Sequence, residues 1–141
     1  MLVTKKITAS IEKYLASIYR LQEKSGVART GEIVKLLRVS PGTVTNTVKL
    51  LKRKGLITHK PYEGIKLTEK GRKIALSAIR KHLLIEKLLT DILHVELTLA
   101  YEVAFNIGYY IPDSVIEKIE EALKKGSLNY ILTLSTLCAH F

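Results

Sequence analysis

Residues 30–68 read TGEIVKLLRVSPGTVTNTVKLLKRKGLITHKPYEGIKLT, and this stretch decides the fold. Apolar residues at helical spacing predict a helix capped by Thr30. Ser40-Pro41 then pairs a capping side chain with a proline at the first helical position, which predicts the start of a second helix. Gly55 ends that helix, and the apolar segments on both sides of Pro61-Tyr62-Glu63-Gly64 predict a β-hairpin. This order of elements is typical of a winged helix-turn-helix, whose second helix lies in a DNA major groove.

The second helix has one apolar and one polar face, because Val44, Val48 and Leu51 follow the i, i+4, i+7 spacing of a buried stripe. Asn46 on the polar face is suited to a bidentate contact with adenine, and threonine methyl groups suit thymine methyl groups. Basic residues nearby are assigned to phosphates, which position a protein on DNA without reading its sequence. The predicted DNA-binding residues are Arg29, Ser40, Pro41, Thr43, Thr45, Asn46, Lys49, Lys52, Lys60, Tyr62 and Lys66, with Arg53 as a further phosphate contact.

Charge supports a nucleic-acid partner for this half of the chain. The 141 residues have a formal net charge of +10. Residues 1–81 contain 19 Lys and Arg against 5 Asp and Glu, whereas residues 82–141 contain 4 against 8. Positive charge concentrated around a groove-reading helix favours binding to double-stranded DNA.

Other features of the sequence narrow the class of protein, its compartment and its function. The single cysteine, Cys138, excludes an intrachain disulfide and fits a reducing compartment. No signal segment or long apolar run is visible, so we expect a soluble cytoplasmic protein without a membrane partner. No nucleophile lies beside a base and no glycine-rich loop follows a strand, so an enzyme is not expected.

The rest of the chain is predicted to be helical. A helix over Ser10–Lys24 precedes the quoted stretch, and Thr68 caps a long helix from Glu69 to about Leu93. Ser114 and Glu117 form a capping-box pattern for a helix over Val115–Lys125 that Gly126 ends, and a further short helix covers Tyr130–Leu137. The predicted fold class is therefore mainly α with a small β-hairpin wing. Residues 1–72 are predicted to form a winged-helix DNA-binding domain, and residues 73–141 a long linking helix with a helical dimerisation domain. The role of residues 127–141 is left open.

The segment from Glu96 to Ile111 is apolar on nearly all sides, so something must cover it on nearly all sides. In a chain of this size a second copy of the same helix is the expected cover, which predicts a homodimer. The expected interface residues are Leu97, Tyr101, Ala104, Phe105 and Tyr109.

Four segments resemble the diphtheria-toxin-repressor and manganese-transport-regulator family. In chain order they are ARTGEI, VSPGTVTNTVKLLKRKGLI, IKLTEKGRKIA and RKHLLIEKLLTDIL. The similarity covers about Ile11 to Lys125. It implies a winged-helix transcriptional repressor that binds a palindromic operator as a dimer. It also implies that ferrous iron or manganese, as effector, permits DNA binding.

The family's metal ligands do not all carry over to this sequence. Lys13, Ala16, Phe105, Gly108 and Tyr109 stand where the family has ligands, and only His82 and Glu86 match. A protonated lysine cannot coordinate a metal, and one imidazole with one carboxylate is too few for a regulatory transition-metal site. The expectation is a repressor that needs no cofactor, with His82 and Glu86 as remnant candidates or a simple intrahelical pair.

Three alternatives stay open at this point. A metal-dependent (Mn or Fe) repressor could use ligands outside the family set, such as His94, Glu96, Cys138 and His140. A regulator similar to the multiple-antibiotic-resistance type could sense a small molecule near Tyr101–Tyr110. The Lys13 ammonium could also replace part of the cation's role by pairing with Glu86 or Glu102, or could simply face solvent.

Overall fold

The computed structural model describes the backbone of residues 7–139 and the side chains of residues 7–126. The elements are α1 (Ala9–Ser25), α2 (Thr30–Leu37), α3 (Pro41–Arg53), β1 (Ile57–Lys60), β2 (Gly64–Leu67), α4 (Glu69–Lys87), α5 (Leu97–Ile107) and α6 (Asp113–Ala139). The mainly α fold class with a two-stranded wing is confirmed. The chain forms two compact units, one up to Ile79 and one from Arg80, so α4 contributes to both. The predicted domain boundary between residues 72 and 73 stays a prediction.

The first unit is built around one apolar core to which α1, α2, α3, the hairpin and the start of α4 all contribute. Its fully buried members include Leu15, Ile33, Val44, Leu51, Leu56, Ile65 and Ala75. β1 and β2 are antiparallel, with Ile57 opposite Leu67 and Lys60 opposite Gly64.

One strand-like contact was not predicted. Ala28, in the segment between α1 and α2, exchanges two backbone hydrogen bonds with Ile65, at 2.9 and 2.8 Å. Ala28 therefore pairs with β2 as a short third strand-like segment of the wing, and this pairing attaches the hairpin to the segment that enters α2.

Two of the three predicted caps of this unit are confirmed. Ser40 Oγ accepts from the Thr43 N–H at 3.2 Å, with Pro41 as the first residue of α3, and Thr68 Oγ1 accepts from the Gly71 N–H at 3.1 Å. The assignment of Thr30 as a cap is wrong by one residue: Arg29 occupies that position, and the Glu32 carboxylate accepts from its N–H at 3.0 Å. The carboxylate three residues further along thus satisfies the backbone donor of the residue that precedes α2.

In the second unit, the long helix ends differently from its prediction. α4 stops at Lys87 and continues as a π-helical turn over Leu88–Ile92, in which the Leu93 N–H donates to the Leu88 carbonyl at 3.2 Å. His94 then adopts a left-handed conformation with φ of 55°. The core of this unit contains Ile85, Ala104 and Ile116.

The prediction that Gly126 ends a helix is wrong, because α6 runs through it from Asp113 to Ala139 and includes the segment predicted as a separate short helix. A Cβ on Gly126 would lie 2.9 Å from Ile92 Cδ1. The glycine therefore allows α6 to approach the π-helical turn closely. The start also differs, because the Pro112 carbonyl accepts from the N–H groups of Val115 and Ile116, ahead of the expected Ser114 cap.

Within the part of the chain that the structure describes, no helix is both long enough and apolar enough to cross a membrane.

Candidate nucleic-acid interface

The outer face of α3 has Asn46 near its centre. Val44, Val48 and Leu51 are buried, as predicted, so the opposite side of the helix faces outward. Gly42, Asn46, Lys49 and Arg53 follow one another at spacings of four, three and four residues, which places them along one line of this exposed side. All eleven predicted DNA-binding residues are exposed, whereas Thr47 is half-buried.

The hydroxyl groups of α3 bond within the helix. Ser40 Oγ and Thr43 Oγ1 lie 2.8 Å apart. Thr45 Oγ1 donates to the Pro41 carbonyl and Thr47 Oγ1 to the Thr43 carbonyl, both at 2.9 Å. These bonds satisfy acceptors one turn back along the helix and limit the rotamers of the threonines.

Basic residues gather at the end of α3, where Lys49, Lys52 and Arg53 line a shallow depression. Lys52, predicted as a phosphate contact, also has a structural partner, since its ammonium donates to the His59 carbonyl of β1 at 3.2 Å. An ammonium has three donors, so this bond leaves two available to a phosphate. Lys52 thereby links the candidate recognition helix to the wing.

The wing presents a second group of polar side chains. Thr58, Lys60, Glu63, Gly64 and Lys66 line a small depression, and the Lys60 ammonium lies 3.8 Å from the exposed Glu63 carboxylate. This pair is weak because both groups are solvated. A phosphate can therefore replace the carboxylate as the lysine's partner.

Tyr62 forms the tip of the wing. Its side chain is 100% exposed and its backbone is left-handed, with φ of 65°. Gly64 also has a positive φ, of 78°, and a Cβ there would lie 2.9 Å from the Cβ of Val27. Only glycine avoids both problems, so the hairpin can pass close to the loop before α2.

His82 in the second unit is fully buried among aromatic rings. Its ring centroid lies 4.9 Å from that of Tyr101, 6.0 Å from Phe105 and 6.2 Å from Tyr109. Its Nε2 lies 3.6 Å from a carboxylate oxygen of Glu86, one turn further along α4. The two candidate metal ligands, His82 and Glu86, are therefore neighbours, and the imidazole is surrounded by aromatic side chains.

These residues do not fit a transition-metal site. Among the described residues no three His, Cys, Asp or Glu side chains come together as a candidate metal group. Phe105 and Tyr109 place rings beside His82, and Gly108 has no side chain to donate. Of the alternative ligand set, the Cys138 side chain and His140 lie outside the described residues.

Lys13 and Ala16 occupy the two remaining family positions, on α1. Ala16 is fully buried. Lys13 is half-buried, and burial lowers the pKa of its ammonium. The alternative in which the ammonium faces solvent stays a prediction. The pairing of Lys13 with Glu86 or Glu102 also stays a prediction.

The residues predicted for the dimer interface separate into two groups. Leu97 and Tyr101 are exposed, whereas Ala104 and Tyr109 are buried within the subunit and Phe105 is half-buried beside His82. The apolar side chains left exposed on and around α5 include Leu93, Leu97, Leu99, Tyr101, Ile107 and Tyr110. Sequence reasoning missed Leu99, Ile107 and Tyr110, because a helix that is apolar all round gives no sign of which side its own subunit covers.

Known proteins resemble this chain along most of its length. The family profile described as iron dependent repressor, N-terminal DNA binding domain, matches residues 6–65, and the profile of the metal binding and dimerisation domain of the same family matches residues 68–128. An uncharacterized HTH-type transcriptional regulator of Methanocaldococcus jannaschii is 35% identical over 120 residues, which cover 84% of this chain and 96% of that protein. The diphtheria toxin repressor of Corynebacterium glutamicum is 33% identical over 119 residues, 84% of this chain and 52% of that protein.

Among solved structures, that of the manganese regulator SloR aligns with a TM-score of 0.71 and 31% identity, over 81% of this chain and 53% of the SloR chain. This chain thus spans about half the length of SloR and of the corynebacterial repressor.

Proposed function

The chain belongs to the iron-dependent repressor family, and on that premise we propose that it is a sequence-specific transcriptional repressor that binds a palindromic operator as a homodimer in the cytoplasm. The observation that supports this most directly is the exposed line of Gly42, Asn46, Lys49 and Arg53 on α3. A helix of this kind offers a base-reading amide between groups that approach phosphates. The basic wing supplies a second contact with the backbone of the duplex.

Dimerisation is assigned to the second unit. Leu97, Tyr101, Ile107 and Tyr110 expose apolar surface on α5 and on the turn that follows it. Large apolar side chains that are exposed within one short segment favour an interface with another protein surface. A second copy supplies the same surface by two-fold symmetry, which also matches the symmetry of a palindromic operator.

Metal dependence is the point on which the relatives and the residues of this chain differ. The family is described as iron dependent and its structural relative SloR as a manganese regulator, and both favour a metal-dependent repressor. The described residues of this chain supply His82 and Glu86 but no third ligand beside them. We therefore propose DNA binding without metal, with a metal-dependent repressor that uses other ligands as the second candidate.

Operator affinity under two metal conditions distinguishes these candidates. Duplexes selected by the purified full-length protein from a randomised library would be titrated by fluorescence anisotropy, once with EDTA and once with excess Mn²⁺ or Fe²⁺. Equal dissociation constants support binding without metal. A gain of tenfold or more on adding metal, about 1.4 kcal/mol, would establish the second candidate. Failure to enrich any sequence under either condition would contradict the repressor assignment itself.

A further inference from the structure

Thr45 combines exposure with a hydroxyl whose proton is already used. Its Oγ1 donates to the Pro41 carbonyl at 2.9 Å while the side chain stays exposed at the start of α3. A hydroxyl has one proton, so a threonine bonded in this way presents its methyl group and oxygen lone pairs outward and no donor. A phosphate oxygen accepts hydrogen bonds, so the conformation seen here does not suit a phosphate contact.

The surroundings of Thr45 are also apolar. It shares a hollow between α2 and α3 with Val34 and Pro41, whose side chains offer only carbon atoms. Thr30, Gly31 and Lys35 complete the lining of this hollow. Thr45 and Pro41 therefore form the α3 side of a largely apolar recess, and Thr45 adjoins Asn46, which we assign to DNA.

The only apolar group on the major-groove edges of the bases is the C5 methyl of thymine. We infer that Thr45, Pro41 and Val34 form a binding site for one thymine methyl group in each operator half-site. This inference rests on the proposed DNA-binding function. Thr45 is then a specificity-determining residue. Asn46, its neighbour in sequence, reads adenine by its amide, so α3 reads an A·T-containing step by two different chemistries.

Replacing thymine by deoxyuridine tests this assignment, since it removes the C5 methyl and leaves the Watson–Crick edge unchanged. In duplexes selected by the wild-type protein, each thymine would be replaced in turn, and affinities measured by anisotropy for wild type, Thr45→Val and Thr45→Ser. Thr47→Ser is the matched control, because Thr47 makes the same backbone bond but is half-buried.

We expect one thymine per half-site at which deoxyuridine weakens wild-type binding by about fourfold, the size expected for one buried methyl group. Thr45→Val keeps the methyl group and should keep both the affinity and this sensitivity. Thr45→Ser should lose the sensitivity at that position, while Thr47→Ser retains it.

Two results would overturn the inference and leave the repressor assignment standing: a selected operator with no deoxyuridine-sensitive thymine, or a Thr45→Ser protein with unchanged sensitivity. A Thr45→Val protein that loses affinity for all sequences would show that the hydroxyl donates to a phosphate, which also overturns it. If no sequence is enriched at all, the proposed function fails first.

Discussion

Gly71 lies with its α-carbon against the carbonyl oxygen of Leu56, so closely that a Cβ on Gly71 would be only 1.9 Å from that oxygen. The contact joins the first turn of α4 to the residue that precedes β1. Both partners are backbone atoms of buried residues, so neither can move aside by changing a rotamer.

Gly71→Ala should therefore destabilise the first unit. Overpacking in a core costs about 1–3 kcal/mol, and a clash with backbone lies at or above the upper end of that range. Urea unfolding followed by circular dichroism would measure the change. Gly31→Ala is the control, because a Cβ at that helical position meets nothing within 4 Å and should leave stability equal or raise it by up to about 1 kcal/mol. Equal midpoints for the two variants would contradict the packing described here.

Asn46→Ala should weaken operator binding by about 1–3 kcal/mol and relax base preference at one position of each half-site, because it removes the proposed bidentate contact with adenine. Lys66→Ala, on the exposed edge of the wing, should weaken selected and unrelated duplexes by similar factors. Selection from a randomised library followed by sequencing measures both. If the two variants behaved alike, the base-reading role of α3 would be refuted.

Binding should depend steeply on salt. If the basic groups of α3 and the wing neutralise about six phosphates, the logarithm of the association constant should fall with the logarithm of salt concentration at a slope of about −5. Fluorescence anisotropy titrations measure this slope, with KCl varied over about a sixfold range from roughly 50 to 300 mM. A slope near zero would mean that these residues do not approach phosphates.

The dimer should persist in EDTA, since apolar contact rather than coordination is proposed to form it. Leu97→Asp combined with Tyr110→Asp should weaken it by at least about 2 kcal/mol, roughly 30-fold in dissociation constant, because carboxylates would be buried without partners. Tyr62→Asp changes an exposed aromatic residue in the wing and should leave the dimer intact. Light scattering over a concentration series measures all three, and a wild-type monomer at micromolar concentration would refute the assignment.

Acid should remove part of the stability of the second unit through Glu96. This residue caps α5, and hydrogen bonds from the N–H groups of Thr98 and Leu99, at 2.9 and 3.1 Å, lower the pKa of its carboxyl group. A lowered pKa in the folded state means that the stabilisation is present above the unfolded pKa and is lost as the pH falls through the folded one. Glu96→Gln should therefore destabilise the protein at pH 7, and the difference from wild type should shrink below about pH 4.5. A difference independent of pH, measured by urea unfolding, would show that the charge of the cap is unimportant.

The first unit could be predicted from sequence in most of its parts because its signals are local. Ser40-Pro41 starts a helix through bonds that span three residues, and Thr68 does the same for α4. The Ala28–Ile65 contact joins residues far apart in sequence, and no local pattern indicates it. Gly126 shows the same limit of local patterns. A single glycine can end a helix or can allow a close approach between helices, and the sequence alone does not distinguish the two.

The candidate site was predictable to a similar extent. Amphipathic spacing gave the exposed face of α3, because a buried valine stripe fixes the opposite side. The bonds of the threonine hydroxyls and the link from Lys52 to His59 depend on rotamers and on the position of the wing, which spacing does not determine. The direction in which Ala104 and Tyr109 are buried likewise depends on which helices lie beside α5.

The left-handed backbone of Tyr62 lowers the stability of the wing tip, and no packing of its side chain offsets this. A left-handed backbone at a residue other than glycine costs about 1–2 kcal/mol, and this side chain makes up none of that cost by burial. A lineage selected only for thermal robustness would replace it with glycine or asparagine, which adopt this conformation readily. On the proposed DNA-binding function, stability and activity therefore compete at the wing tip, because a substitution that favours heat tolerance would remove the proposed operator contact of Tyr62.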